Sequence, residues 1–492
     1  MASHYTQRED SDDNEGQPLL EALNSGPDDA EHGTDAAVRK QLEHTLLRKL
    51  DRRNSILVLI YILNYIDRNN ASAARLRGFE EDLGLEGNQF ASILSVLYVG
   101  YILMQIPSNM FLNYFGKPSK YLPWCFATSY FGVLVIRFFL GFVEAAFFPG
   151  ALFHLAKWYK REELAQRTAL LTCGILLSNA FGALIASVIL DVMHGVLGFT
   201  AWRWLFFIEG TVTILVAFWS MFILPDFPEN SSNWLTPAEQ ALALQRMVED
   251  AGHQNPTSLD GVNAGAAAEG DVLKSYIGQW PGLYLAVTDG KVWWLALTLT
   301  CMVISLSFHA YFPTLSATLG YDRTVTLLLC APPWLFAVAV ALPLSRHSDK
   351  VGDICKHIAF SLFIGILGFL LAMSTMNTAV RYASLFLMAQ SYGAYICFLA
   401  WASGSVSFPP AKRAVALALI NCVSQLGNVI GSYAWPSSWG PTYNTSYAVC
   451  IFMSALTIAL CLVFRIHLAS LNHKADNVEA ERGLPKGYRY KL

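Results

Sequence analysis

Two ionisable residues, Asp67 and Arg68, lie side by side in an apolar stretch, residues 56–74, that is long enough to cross a lipid bilayer. Ionised groups at that depth cost at least about 2.5 kcal/mol each, so they usually have a functional reason. Asn64 precedes them by three and four residues, which places all three side chains on one helical face. The planar guanidinium of Arg68 suits a carboxylate. The pattern indicates a polar path or binding site within a membrane, and helix packing with charge compensation is the alternative.

A second charged pair, Arg137 and Glu144, lies seven residues apart in another apolar segment. Seven residues are two helical turns, so both side chains project from nearly the same face. A low-dielectric interior favours the neutral form of a carboxylic acid, which makes Glu144 a candidate proton carrier. In the alternative interpretation, Glu144 only balances the charge of Arg137.

Other polar or amphipathic side chains also occur within apolar segments. His309 is a candidate because imidazole ordinarily titrates near physiological pH, and a structural hydrogen-bonding role is its alternative. Tyr101, Gln105 and Trp401 are candidates to line a binding cavity, and for each of them a packing role is the alternative.

The composition predicts the class of protein. The chain has 492 residues, of which 54% are hydrophobic and only 14% are charged, as expected for an α-helical protein that crosses a membrane many times. The nine cysteines have no metal-ligand spacing, and no basic tract suggests nucleic-acid binding. No nucleophile and base pair or phosphate-binding loop indicates an enzyme. We therefore expect no metal site, no cofactor and no catalytic residues.

Runs of about 20 apolar residues predict ten clear membrane spans. They lie near residues 55–74, 90–112, 168–190, 200–224, 290–313, 323–345, 356–376, 382–408, 413–436 and 445–467. A further apolar block, residues 121–156, has basic residues on both sides, at Lys117 and Lys120 before it and Lys157 and Lys160 after it. Because basic loops favour the cytoplasm, the block must cross twice. The sequence thus predicts twelve spans, an abnormally short third span, and both termini in the cytoplasm.

These spans define five regions. A disordered acidic tail (residues 1–50) precedes an N-terminal six-helix lobe (51–224), a central cytoplasmic loop (225–289), a C-terminal six-helix lobe (290–467) and a cytoplasmic tail (468–492). Thr236 and Glu239 form a capping-box pattern that predicts a short helix in the central loop. Asn444 begins a glycosylation sequon on the predicted outer side. Two six-span halves joined by a long loop are typical of a transporter.

Several motifs in the same order resemble a known family. They are LNYIDRNN (63–70), GYILMQIPSN (100–109), RFFLGFVEAAFFPG (137–150), WRWLFFIEG (202–210) and WPSSWGP (435–441). The chain resembles the anion:cation symporter branch of the major facilitator superfamily, and within it the fungal allantoate-permease-like group of nicotinate, pantothenate and allantoate permeases. The resemblance runs from about residue 51 to residue 490. Judged against the length that a crossing needs, roughly 15 to 20 residues of the third span are missing.

The resemblance implies a function and roles for the candidate residues. It implies a monomeric transporter with the major facilitator fold in the cell membrane, which imports a small organic anion together with protons by alternating access. Arg68 would hold the anion, and Glu144 and Asp67 would carry protons, with Arg137 tuning them. The candidate substrate-binding residues are Arg68, Asn64, Tyr101, Gln105, His309 and Trp401. Export of a secondary metabolite, or a member that does not transport because of its short third span, remains the alternative.

Overall fold

The computed structural model describes residues 32–115, 130–225, 228, 231, 234–252, 279–406, 410–482 and 489–492. These residues form helices and their connections, with no strand among them, which confirms the all-helical prediction. The helices are α1 (His32–Ala74), α2 (Phe79–Leu83), α3 (Gln89–Phe115), α4 (Tyr130–Glu144), α5 (Phe147–Trp158), α6 (Arg161–Val192), α7 (Ala201–Ile223), α8 (Pro237–Gly252), α9 (Gln279–Val287), α10 (Gly290–Ser305), α11 (Phe312–Ala317), α12 (Arg323–Val351), α13 (Ile354–Ser374), α14 (Thr378–Gln390), α15 (Tyr392–Ser405), α16 (Pro410–Ser432) and α17 (Asn444–Arg482). Helices suit a bilayer because they satisfy their own backbone hydrogen bonds.

Nine helical stretches of the described residues are long and apolar enough to cross a bilayer. They are Tyr130–Trp158, Gln166–Val192, Ala201–Ile223, Gly290–Ala317, Arg323–Val351, Ile354–Ser374, Thr378–Ser405, Val415–Ser432 and Asn444–Glu481. The two predicted spans nearest the N-terminus coincide with the end of α1 and with α3, whose apolar part is Gln89–Gln105. The predicted third span begins at residue 121, and its first part, residues 121–129, lies outside the described residues, so its short length stays a prediction.

Helix α1 begins earlier than the sequence predicts. The described part of the expected disordered tail is helical from His32 and continues without a break through the first span. Leu46 and Leu50 are fully buried, and Glu43 pairs with Arg246 of α8. Contacts with other segments therefore order a region whose own composition is polar. At the other end, α17 likewise continues as a helix beyond residue 467, where the last span was predicted to end.

Helices α3 and α4 approach each other closely at two glycines. A Cβ atom on Gly100 would lie 2.1 Å from the carbonyl oxygen of Phe138, and one on Gly141 would lie 1.9 Å from that of Leu97. Real Cβ atoms do not come so near, so only glycine permits this spacing at both positions. The contact fixes α4, which carries Arg137 and Glu144, against α3, which carries Tyr101.

The predicted seventh span is broken in its middle. Helix α10 ends at Ser305, and a 3₁₀ turn, Ser307–Tyr311, connects it to α11. Pro313 lies in the first turn of α11, where its missing N–H group and its ring prevent an α-helix from running through. The break places His309 in the 3₁₀ turn with its side chain buried.

The described residues form two compact units. The smaller unit comprises those within Met1–Leu57, Ala151–Arg167 and Trp219–Gly261, and the larger unit comprises the others. In the smaller unit, α8 begins with the predicted capping box: the Thr236 N–H donates to Glu239 Oε2 at 3.0 Å and the Glu239 N–H donates to Thr236 Oγ1 at 3.3 Å. The larger unit contains helices from both predicted lobes, so the lobe boundaries stay predictions.

Candidate functional site

A buried ion pair joins α1 to α4 within the larger unit. The Nε atom of Arg68 donates to Oε2 of Glu144, and both residues are more than nine-tenths buried. The aromatic rings of Tyr65 and Tyr101 lie 4.7 and 4.8 Å from the Arg68 guanidinium carbon, so the cation is held between two rings. Three of the predicted site residues, Arg68, Glu144 and Tyr101, therefore meet at one place.

Arg137 has a different arrangement from the one its spacing suggested. Its Nη1 atom donates to the carbonyl oxygens of Asp67 (3.2 Å) and Arg68 (3.0 Å), and its Nη2 atom donates to Oδ1 of Asn70 (2.6 Å). Glu144 receives its hydrogen bond from Arg68 rather than from Arg137. Arg137 thus binds the backbone of α1 beside the ion pair and positions the helix that carries Arg68.

Asp67 points to another helix. Its Oδ2 atom accepts a hydrogen bond from Thr213 Oγ1 of α7 at 2.9 Å, and its side chain is buried. Asp67 and Arg68 are neighbours in sequence, so their side chains leave α1 in directions about 100° apart and find separate partners. The two candidate proton carriers, Asp67 and Glu144, therefore differ in surroundings: a hydroxyl donor for the first and a guanidinium for the second.

The remaining predicted residues are distributed over several places. Gln105 is buried on α3, and its Oε1 atom has no hydrogen-bond partner among the described residues. Asn64 is half-buried on α1. Trp401 is buried, but its Nε1 atom donates to the carbonyl oxygen of Lys491 at 3.0 Å and its ring packs on Phe464. Trp401 therefore anchors the last described segment of the chain and is not part of the cluster around Arg68.

A cavity borders the part of α1 from Ile66 to Ala73. It is bordered by Asn69, Asn179 of α6, Glu209 of α7 and His309, and the centre of a water molecule can occupy about 40 Å³ of it. This volume is enough for a few water molecules or a small polar group. Among the predicted residues, only His309 lines it. Within the described residues, no group of three or more His, Cys, Asp or Glu side chains is arranged to hold a metal ion.

The comparisons with known proteins decide the family. The family model described as the Major Facilitator Superfamily matches residues 57–432. The chain belongs to this superfamily. The MFS-type transporter cnsO of Penicillium expansum is 30% identical over 437 residues, which cover 84% of this chain and 80% of the relative. The major facilitator-type transporter hxnP of Emericella nidulans is 28% identical over 445 residues, which cover 86% of this chain and 83% of the relative.

Solved structures of the superfamily share the fold. The proton:xylose symporter XylE superposes with a TM-score of 0.58 at 14% identity, covering 84% of this chain and 96% of that protein. The major facilitator fold predicted from the sequence is thereby confirmed. The protein is a multi-pass membrane protein and a transporter of small molecules, and the transporters among its relatives agree with the expectation that it is not an enzyme.

Glu209 is an ionisable residue of this transporter that the sequence analysis did not single out. It lies in the middle of α7, is buried, and belongs to the motif at residues 202–210 that supported the family resemblance. The rule that singled out Asp67 and Arg68, an ionisable group deep in an apolar span, applies equally to Glu209 and would have found it. Asn70 and Thr213 carried no such signal, because uncharged polar side chains are common in spanning helices.

Proposed function

We propose that this transporter is a proton-coupled symporter that imports a small organic anion by alternating access. The anion would be a carboxylate or ureide such as nicotinate, pantothenate or allantoate, as in the allantoate-permease-like group that the sequence resembles. The observation that carries the proposal is the buried ion pair between Arg68 and Glu144. The proposal includes a monomer in the cell membrane with both termini in the cytoplasm, which the positions of the basic loops support.

The ion pair supplies a physical reason for coupling. While Glu144 is ionised, it occupies the guanidinium that an anionic substrate would need. A proton on Glu144 neutralises the carboxyl group and releases Arg68 to bind the substrate carboxylate in its place. The site then contains one cation and one anion both before and after the exchange, so no charge is left uncompensated in the low-dielectric interior.

The uncoupled alternatives are unfavourable. If an anion took Arg68 while Glu144 stayed ionised, the Glu144 carboxylate would be buried without a partner, and breaking a buried pair in this way costs about 3–5 kcal/mol. A penalty of that size favours coupled over uncoupled binding by more than a hundredfold. The expected ratio at this pair is therefore one proton for each carboxylate. Asp67, whose side chain accepts from Thr213, is the candidate for a further proton.

Uptake measurements test the proposal directly. Cells that produce the chain are given labelled nicotinate, pantothenate or allantoate at pH 5 and at pH 7.5, with and without a protonophore. We expect accumulation that is faster at pH 5 and is abolished by the protonophore. Absence of uptake of all three substrates, with delivery to the plasma membrane confirmed, would contradict the proposal.

Two variants separate binding from coupling. Glu144→Gln mimics the protonated side chain, so we expect it to exchange internal for external substrate but to lose accumulation driven by the pH gradient. Arg68→Gln should lose both activities. Glu80→Gln is the matched control, because Glu80 also pairs with an arginine, Arg75, but its side chain is 31% exposed. Gradient-driven accumulation by Glu144→Gln would show that coupling does not require this carboxyl group.

A further inference from the structure

The cavity next to Arg68 is not used by the ion-pair mechanism. Five side chains define it here as the acceptor cavity: Asn69 and Ser72 of α1, Asn179 of α6, Glu209 of α7 and His309. Apolar side chains line most of the rest of the cavity, so these polar groups form only part of its wall. The question is which chemical group such a wall would bind.

Several hydrogen-bond donors of this wall already bond to other groups of the protein. The Nδ2 atom of Asn69 donates to Oδ1 of Asn179 at 2.9 Å, and Nδ2 of Asn179 donates to the carbonyl oxygen of Ile175 at 3.0 Å. Nδ1 of His309 lies 3.0 Å from the carbonyl oxygen of Leu306. A carbonyl can only accept, so Nδ1 carries the proton in this bond, and Nε2 of the neutral ring is left as an acceptor.

Two buried oxygen atoms of the wall are unpaired among the described residues, and each can accept a hydrogen bond. Oε2 of Glu209 and Oγ of Ser72 have no hydrogen-bond partner among the described residues, and both side chains are more than nine-tenths buried. Oδ1 of Asn69 and Nε2 of His309 are two further acceptors on the same wall. Buried polar atoms are rarely left unpaired in folded proteins, so a wall of this kind points to a ligand that brings donors.

We propose that the acceptor cavity binds an uncharged N–H or O–H donor group of the same substrate whose carboxylate is bound by Arg68. This inference rests on the proposed function and narrows it to acids that carry an amide, urea or hydroxyl donor. Arg68 is not among the described residues that line the cavity, but its charge acts on His309, which does line it, so the two places are close enough for one small molecule to reach both. Acids without donors, such as nicotinate, are then poor ligands.

Matched pairs of acids test the inference. N-Carbamoylglycine and levulinate have the same skeleton of heavy atoms, but levulinate has CH₂ and CH₃ where the first has N–H and NH₂. N-Carbamoyl-β-alanine and 5-oxohexanoate form the same pair with one more methylene. Binding of the four acids to the purified full chain in lipid nanodiscs is measured by calorimetry. We expect the donor acid of at least one pair to bind at least about tenfold more tightly, since its partner leaves the cavity acceptors unpaired.

Variants assign that preference to the cavity. Glu209→Met keeps the length of the side chain and removes the acceptor together with the hydrogen bond between Glu209 and Asn70, so its thermal unfolding is compared with that of the wild type. Ser72→Ala is a second, smaller change. Both should reduce the preference for the donor acid by at least about threefold. Ser187→Ala is the matched control: Ser187 is also buried on α6, and its hydroxyl donates to the carbonyl oxygen of Leu184 at 2.9 Å, but it is not among the described residues that line the cavity, so the preference should persist.

Each outcome separates this inference from the proposed function. Equal affinities within both pairs, or a preference that survives both Glu209→Met and Ser72→Ala, would overturn the role of the cavity and leave the anion site intact. A preference that depends on Glu209, with affinities unchanged in Arg68→Gln, would instead uphold the cavity and refute the anion site. If the folded wild-type protein binds none of the four acids, this substrate class is wrong.

Discussion

The close contact between α3 and α4 allows a prediction with a definite size. In Gly100→Ala, the new methyl carbon would lie 2.1 Å from the carbonyl oxygen of Phe138, whereas an ordinary contact is about 3.5 Å. The obstacle is backbone, so no side chain can rotate away, and the helices must separate by more than about 1 Å. Overpacking of this kind costs about 1–3 kcal/mol, and the better helix propensity of alanine returns about 1 kcal/mol. We expect a net loss of up to about 2 kcal/mol.

The same change should impair transport. Phe138 follows Arg137 directly, and Glu144 lies further along the same helix, so a displaced α4 moves both side chains relative to α1. A misplacement of about 1 Å at a functional site can reduce activity by as much as a hundredfold. We expect Gly100→Ala to lower both the midpoint of thermal unfolding of the purified protein and the rate of uptake.

The matched control is Gly404→Ala. Gly404 lies near the end of α15, is exposed, and has no atom of the described residues within 4 Å of the position of a Cβ atom. Alanine there should be neutral or should stabilise the helix by up to about 1 kcal/mol, with uptake unchanged. If Gly100→Ala unfolds at the wild-type temperature and transports normally, the close approach of α3 and α4 is refuted.

Three further predictions follow from single side chains. Trp401→Phe removes the hydrogen bond to Lys491, so stability should fall by about 1 kcal/mol while the KM for uptake stays unchanged; an increased KM would return Trp401 to the substrate site. Burial alone would raise the pKa of the Glu249 carboxyl group, but the hydrogen bonds and charge of Arg39 lower it below its ordinary value near 4.5. The ion pair with Arg39 therefore stabilises the folded protein above the unfolded pKa, and this stabilisation is lost as pH falls through the folded pKa. Glu249→Gln should therefore unfold at a lower temperature than wild type at pH 7, and a difference that does not narrow towards pH 3 would contradict this. Asn444→Gln should remove a glycan on expression in a eukaryotic cell, seen as a smaller mass on a gel; an unchanged mass would place Asn444 inside or leave it unused.

The sequence predicted most spanning helices because the signal for a span is local. A run of apolar residues long enough to cross a bilayer has few alternatives to a helix, whatever surrounds it. The span predicted at 323–345, for example, is the apolar part of α12, and the span predicted at 356–376 is α13 displaced by two residues. The helical start of α1 could not be predicted in this way, because its order depends on Arg246, about 200 residues away in sequence.

The partner of Glu144 shows that the spacing of charged residues along one helix is not enough to predict which ion pair forms. Arg137 and Glu144 share a helical face, but seven residues separate them by about 10 Å along the axis, and helical ion pairs form at spacings of three or four residues. The pair that the structure forms joins Glu144 to Arg68, 76 positions earlier, which only the packing of α1 against α4 decides. The freed guanidinium of Arg137 then finds acceptors in the backbone of α1.

Glu144 and Glu209 suggest why one site would contain two buried carboxyl groups. Glu144 has a guanidinium partner, so it can exchange that partner with an incoming anion when it takes a proton. Oε2 of Glu209 has no partner among the described residues, so it has nothing to release and can only gain a donor. Under the proposed function, the first arrangement would couple transport to the proton gradient, and the second would select among acids by the groups that they carry besides the carboxylate. A change at Glu144 should therefore alter the pH dependence of uptake, whereas a change at Glu209 should alter the order of substrate preference.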